Sequence, residues 1–221
     1  MRFTIINGSP RGKNGNTKIL LEKVVEGFVE NQPADIQLIF LNNPQERTSA
    51  PLQFSESDLV LLGFPLYTDA MPGLVKEFIE SLAPYVGLQE NSKLAFLVQS
   101  GFPEAHHSRF VERYLEKLAH RLGAAYAGTI VKGGCEGVRT MPEGMNRKLF
   151  ESLKGLGADL ALEGSFDPDK LKDLAKPESY SPIYAQILKW IYKIPITQFY
   201  WNSQLKQNEV YEDRFAKPFI N

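Results

Sequence analysis

The sequence predicts an α/β fold, an open doubly wound sheet of five parallel strands with helices on both faces. Three observations carry this. Five short, β-rich apolar runs alternate with segments of helical period, the pattern of βαβ units joined by right-handed crossovers. The central runs are almost continuously apolar, as strands covered on both faces are. Loops rich in Gly, Ser and Pro follow the strands, on the side of the sheet where such folds hold ligands.

The first strand is Phe3 to Asn7, ended by the turn-forming Gly8-Ser9-Pro10. Ile19, Leu20, Lys23, Val24, Gly27 and Phe28 then recur at three and four, the period of a helix. Asp35 to Leu41 alternates as a second strand. Asn42 to Ser57 is polar, bears prolines and reads as a loop. Asp58 to Phe64 is the third strand. Pro72 opens the next helix, where its missing N–H costs nothing, and Leu74, Val75, Phe78, Ile79 and Leu82 form its inner stripe. Lys93 to Gln99 is the fourth strand. A helix from about Glu104 carries Phe110, Val111, Tyr114, Leu115, Leu118 and Leu122 inward and stops at Gly123. Ala124 to Lys132 is the fifth strand. Pro142 to Glu163 is a last core helix, with Met145, Leu149, Leu153, Leu156 and Leu160 inward.

The core domain therefore spans residues 1–164, and 165–221 is an extension punctuated by Pro168, Pro177, Pro182, Pro195 and Pro218. Ile183, Ile187, Leu188 and Ile191 mark one amphipathic helix there, and the segment after Pro195 a second. Aromatic residues are 11% of the chain, yet they crowd between Tyr180 and Phe219. Too few apolar positions remain for a separate core, so this segment is expected to pack on the domain or on a partner subunit. Aromatic side chains are enriched at subunit interfaces, which favours a homodimer.

Lys and Arg number 25 against 26 Asp and Glu, for a net charge of −1. That balance excludes a strongly basic nucleic-acid binder and a strongly acidic carrier that docks by charge. A single cysteine, Cys135, excludes an intrachain disulfide framework and a multi-cysteine metal site in one chain. No run approaches the ~20 apolar residues of a membrane span, and the start MRFTIINGSPRG has no signal-peptide pattern. The expected location is cytoplasmic.

The loop after the first strand carries the strongest chemistry. From Asn7 to Lys18 there are Arg11, Lys13 and Lys18 and no acid, the first carboxylate being Glu22. N–H groups and the positive dipole end of the helix that follows attract anions. A triphosphate loop needs four residues between its first Gly and the Gly-Lys pair, then Ser or Thr. Here only Ser-Pro-Arg separates Gly8 from Gly12, and Asn14 follows Lys13. The spaced glycines of the dinucleotide fingerprint are absent too, and no acid ends the second strand to hold a ribose. A mononucleotide with a terminal phosphate remains.

Gly8-Ser9-Pro10-Arg11, followed by Asn16-Thr17 opening a helix, resembles the phosphate loop of the flavodoxin-like FMN reductase superfamily, which includes NAD(P)H quinone oxidoreductases. The resemblance implies a flavodoxin-like three-layer sandwich with strand order 2-1-3-4-5, and Ser9, Arg11, Asn16 and Thr17 on an FMN phosphate. The loop Phe64-Pro65-Leu66-Tyr67-Thr-Asp-Ala-Met-Pro72 is similar to the superfamily's second motif. It implies that Pro65, Leu66 and Tyr67 lie along the isoalloxazine. The turn Ser100-Gly101-Phe102 is similar to the Gly-rich turn that meets the flavin in relatives, and Gly101 permits close backbone approach. Gly133-Gly-Cys-Glu-Gly137 closes the far side of the cleft. Relatives with an iron–sulfur cluster carry four cysteines between the second and third strands; Asn42 to Ser57 has none.

The activity so implied is an FMN-dependent NAD(P)H oxidoreductase. NADH or NADPH is the co-substrate, and a quinone, free flavin, nitro- or azo-compound is the acceptor. Because the flavin carries the chemistry, no acid–base dyad is demanded of the protein. The rival is a flavodoxin-type electron-transfer protein, against which Arg11 and the near-zero charge weigh. His106 and His107 begin a helix, where solvated histidines are common, and Cys135 has no sequential mark of activation.

Overall fold

In the computed structural model, which describes residues 1–191 and 199–217, the apolar runs form five strands. They are β1 (Arg2–Asn7), β2 (Asp35–Phe40), β3 (Leu59–Pro65), β4 (Lys93–Gln99) and β5 (Ala125–Lys132). All four pairings are parallel, in the order β2-β1-β3-β4-β5. Phe3 sits between Ile36 and Leu59, and Asn7 between Phe40 and Gly63. The chain steps outward from β1 to β2 and then returns past β1 to β3. Strand order thus reverses at the carboxyl ends of β1 and β3, which opens a crevice there.

Six helices surround the sheet: α1 (Asn16–Val29), α2 (Pro44–Ser55), α3 (Gly73–Ser81), α4 (Arg109–Leu122), α5 (Glu143–Leu162) and α6 (Pro168–Leu174). One face buries Phe3, Ile5, Leu61 and Leu97 under Leu20, Val24 and Phe28 of α1 and Leu153, Leu156 and Leu160 of α5. The other buries Ile6, Leu62 and Phe96 under Phe54 of α2, Phe78 of α3 and Leu115 of α4. Covered on both sides, β3 is buried at every residue. Helices α1 and α5 cross with their backbones in close approach at Gly27 and Gly157. A Cβ on Gly27 would stand 2.0 Å from the Lys154 carbonyl, and one on Gly157 2.0 Å from the Val24 carbonyl.

Where a loop was expected from Asn42 to Ser57, the structure has helix α2. Its start is well made. Asn43 accepts the Gln45 N–H at 3.1 Å and donates to Glu46 at 2.7 Å, with Pro44 in the first turn. Such a cap is worth about 1 kcal/mol. Only Ala50 and Phe54 are buried and Pro51 lies inside the helix, so the apolar stripe that betrays a helix is missing. The inner faces of other elements are also narrower than expected. Phe110 and Tyr114 of α4 and Met145 of α5 are exposed. Ile36 and Leu38 of β2 are partly exposed as well, because α1 packs over β1 and β3 and leaves the outer edge of the sheet uncovered.

The chain divides into two compact units, Met1–Ser179 and Tyr180–Asn221. Beyond α5 the first unit continues: the Phe166 N–H donates to the Ala127 carbonyl at 2.9 Å, and Asp167 caps α6. Its end is held by Glu178, which accepts two bonds from the Arg109 Nε at 3.0 and 3.1 Å and one from its Nη2 at 2.6 Å. That guanidinium holds the Glu178 carboxyl below the usual glutamate range. The second unit contains α7 (Pro182–Ile191) and α8 (Phe199–Gln207). Ile183, Trp190 and Trp201 are exposed, and Arg214 lies over the Tyr211 ring at 4.0 Å. Pro195, Pro218 and Phe219 lie outside the described residues. Among the described residues no helix is long and apolar enough to cross a membrane.

Candidate cofactor site

The loop between β1 and α1 is organised from below by Asn7, which is fully buried. Its Oδ1 accepts the Ser9 N–H at 2.9 Å, and the Ser9 hydroxyl oxygen accepts the Arg11 N–H at 3.3 Å. Gly12 turns the chain at φ +51°, where a Cβ would overlap the Asn42 amide. Gly15 then leads into α1. It offers no side-chain cap, and no acid stands in the first helical turn. The first N–H groups of a helix have no intrahelical acceptor; the Lys18 N–H bonds back to the Gly15 carbonyl at 3.3 Å, so the N–H groups of Asn16 and Thr17 and the positive dipole end are what this end presents. A Cβ on Gly15 would stand 2.7 Å from the Ser9 oxygen, so the concavity exists only because glycine lines it.

The three local cations are not equivalent. Lys13 lies over the Phe40 ring at 5.7 Å, and Lys18 pairs with Glu22. Arg11 lines the cleft.

After β3, the buried Leu66 donates its N–H to the Gln99 carbonyl at 2.7 Å. Tyr67 and Ala70 exchange N–H···O bonds of 2.9 and 3.1 Å across Thr68 and Asp69. Those two residues have φ of +50° and +61°. A tight turn with both central residues left-handed ordinarily takes Gly or Asn. Here Thr and Asp hold it, at a strain of the kind that collects at functional loops. Tyr67 stands out into solvent beside it.

The ends of β4 and β5 are stitched together. Ser100 donates its N–H to Lys132 and its hydroxyl to the Phe102 carbonyl, and the Cys135 N–H donates to Ser100 at 2.8 Å. The β5 loop is in turn tied to the first loop. The Asn16 amide donates to the Cys135 and Glu136 carbonyls at 2.7 and 3.2 Å, and Arg139 to the Asn14 carbonyl at 2.8 Å.

Ser9, Arg11, Asn16, Pro65, Leu66, Tyr67, Ser100 and Gly101 thus line one cleft, as the sequence brought them forward. Thr17 and Phe102 do not. Thr17 is fully buried behind the cleft, its hydroxyl accepting from the Gln99 amide at 3.3 Å, and Phe102 projects from the rim against His107. Gly15, Gln99 and Glu136 also line the cleft, and Arg139 braces it. Glu136 and Arg139 are more than a hundred residues from the loop between β1 and α1, and only the sheet order brings them near. A broader groove between α5 and α6 is lined by Lys148, Lys170, Asp173 and Lys176 and has no aromatic residue in its wall.

Cys135 is fully buried, and burial pushes its thiol up to about 12, so it is not a redox nucleophile. Ellman's reagent at pH 8 is expected to leave the folded protein unlabelled and to find one thiol per chain after denaturation. Rapid labelling of the folded chain would contradict this burial.

The family described as Flavodoxin-like fold matches residues 1–154. No curated protein matches the sequence. Among solved structures, the chain is similar to the Trp repressor binding protein from Bacillus subtilis, at 20% identity and a TM-score of 0.55, over 72% of this chain and 97% of that one. It is similar to an FMN-dependent NADH-azoreductase from Bacillus anthracis str. Ames Ancestor, solved in complex with FMN, at 14% identity and 0.55, over 73% and 100%. It is also similar to an NAD(P)H:quinone oxidoreductase from Methanothermobacter marburgensis, at 13% and 0.56, over 72% and 96%. These likenesses agree with the sheet order and the matched span: the chain belongs to the flavodoxin-like fold family.

Proposed function

We propose that this protein is an FMN-dependent oxidoreductase that uses NADH or NADPH to reduce a small acceptor such as a quinone, a flavin, or a nitro- or azo-compound. One observation carries the reading. A single cleft joins an uncapped, acid-free helix start with Arg11 to an open wall at Pro65, Leu66 and Tyr67, with Phe102 outside it on the rim. Two of the similar structures are named for such activities.

The residues present fit a flavin mononucleotide. The Gly15 concavity suits a phosphate, and the Nδ2 of buried Asn7 lies beneath the loop without a partner. When bound, FMN supplies the hydride and electron chemistry. The protein's part is to bind and orient it. Ser9 keeps its hydroxyl proton to donate to the phosphate, and Arg11 adds a charge-assisted bond. Asn16 and Thr17 contribute backbone N–H groups, since the Asn16 amide and the Thr17 hydroxyl are engaged elsewhere. Pro65, Leu66 and Tyr67 flank the ring. The N–H groups of Leu66 and Tyr67 are already paired, which leaves those of Thr68 and Asp69 for its polar edge. Ser100 and Gly101 provide a close backbone wall, and Phe102 a rim.

The same reading gives a domain of residues 1–164 that holds the cofactor, and an extension 165–221 that packs on it or on the partner of a homodimer. The exposed Ile183 supports the latter. It also gives a cytoplasmic location, which an unpaired Cys135 supports. To test the function, FMN is titrated by fluorescence and nicotinamide oxidation is followed with a panel of acceptors. Micromolar or tighter FMN binding, one per chain, with acceptor-dependent oxidation is expected. Tight FMN binding with no oxidation by any acceptor would leave an electron carrier instead.

A further inference from the structure

At the turn between β4 and α4, three donors outside the cofactor cleft converge. Glu104, His106 and His107 each offer one ligand atom, and these atoms lie within 4.8 Å of one another. Both histidines ride on the short turn Ala105–Ser108, with ring centroids 3.9 Å apart. The way the two rings are held separates this group from a chance cluster. His107 Nδ1 is 3.0 Å from the Asp69 carboxylate, and His106 Nδ1 is 3.3 Å from the Glu178 carbonyl. Each partner only accepts in its ionised or carbonyl form, so each bond requires the proton on Nδ1. When the ring is neutral, Nε2 then carries the lone pair. Metal-ligating histidines are oriented by this kind of donation to a carboxylate or a backbone carbonyl.

We propose that Glu104, His106 and His107 bind a divalent transition-metal ion, Zn²⁺ or Cu²⁺, through the two Nε2 atoms and the Glu104 carboxylate, with Asp69 and the Glu178 carbonyl as orienting acceptors. Two imidazoles and one carboxylate suit these ions and disfavour Mg²⁺ and Ca²⁺, which want oxygen ligands. Coordination at about 2.0–2.2 Å draws the three atoms closer than they now stand. His106 is exposed, and Glu104 and His107 are half-buried. The strained Thr68–Asp69 turn gains a purpose, since it delivers Asp69 to His107 across a gap of 38 residues. None of the three ligands lines the cofactor cleft, so the proposal stands apart from the flavin reading.

The test uses the full chain, stripped of metal with EDTA and dialysed, with and without FMN. ZnCl₂ is titrated calorimetrically and CuCl₂ is followed by electron paramagnetic resonance. One Zn²⁺ per chain with a micromolar dissociation constant is expected, and Cu²⁺ should show coupling to two nitrogens. Of the chain's three histidines the third is His120, and His120→Ala should bind as the parent does. The double variant His106→Ala/His107→Ala should lose ~100-fold or more, and Asp69→Asn about tenfold, the usual effect of an orienting partner. Asn tolerates the left-handed turn, so that variant keeps its fold. The proposal is overturned if the double variant binds Zn²⁺ as tightly as the parent, or if the parent binds only at millimolar concentration. Parent-like binding by Asp69→Asn would remove Asp69 from the site.

Discussion

Replacing Arg11 with alanine should weaken FMN binding about tenfold, and the Ser9→Ala/Arg11→Ala pair about 100-fold, while riboflavin binding stays unchanged. The magnitude follows from one charge-assisted hydrogen bond at an exposed site, then a second bond from Ser9, at about 1–2 kcal/mol each. The contrast with riboflavin isolates the phosphate, because the two ligands share the ring and differ only at that end. Lys13→Ala and Lys18→Ala should change FMN binding little, since Lys13 lies over Phe40 and Lys18 pairs with Glu22. If Arg11→Ala weakened both ligands equally, Arg11 would be shaping the loop rather than holding the phosphate. Equal losses at Arg11, Lys13 and Lys18 would indicate diffuse attraction.

The largest effect on stability is expected at the crossing of α1 and α5. In Gly157→Ala the new methyl would meet the Val24 carbonyl at 2.0 Å and the Phe28 nitrogen at 2.9 Å, and in Gly27→Ala the Lys154 carbonyl at 2.0 Å. These neighbours are backbone and cannot swing aside. The helices must separate, loosening Leu20, Val24 and Phe28 from Leu153, Leu156 and Leu160. Overpacking of this kind costs roughly 3 kcal/mol or more, a fall of about 6–12 °C in Tm for a chain of this size. Gly155→Ala is the matched control. It lies in the same helix with open space around its Cβ, so it should raise stability by about 0.5–1 kcal/mol through helix propensity alone. Thermal unfolding of the three variants checks this; equal behaviour of Gly155→Ala and Gly157→Ala would refute the close crossing. Because α1 begins at the loop proposed to hold the phosphate, Gly157→Ala should also weaken FMN binding.

Much of this was legible in the sequence. The five strands showed as apolar runs, α3, α4 and α5 as helical stripes, and the sheet order followed from the resemblance of two loops. Helix α2 was hidden because it buries only Ala50 and Phe54, too little for a period to register. Phe110, Tyr114 and Met145 kept the right spacing yet face outward, since spacing fixes a direction but not the width of the buried stripe. The loop between β1 and α1 stood out by its residue types. That only Arg11 of its three cations faces the cleft depends on where Phe40 and Glu22 stand. The Thr17 hydroxyl, which the motif offers as a phosphate donor, is a buried acceptor for Gln99. The Asn16 amide, a natural phosphate donor, instead fastens the β5 loop 119 residues away. Glu136, Arg139 and the Asp69–His107 bond were beyond reach for the same reason: each joins segments that only the folded sheet makes neighbours.

The central claim is that this cleft holds FMN and passes it reducing equivalents from a nicotinamide. The most direct measurement is the visible spectrum of the FMN-loaded protein under anaerobic conditions as NADH or NADPH is added. The account predicts that the oxidised flavin band bleaches with at least one nucleotide and returns when an acceptor is admitted. A protein that takes up no FMN, or whose bound flavin keeps its band with both nucleotides, would contradict it.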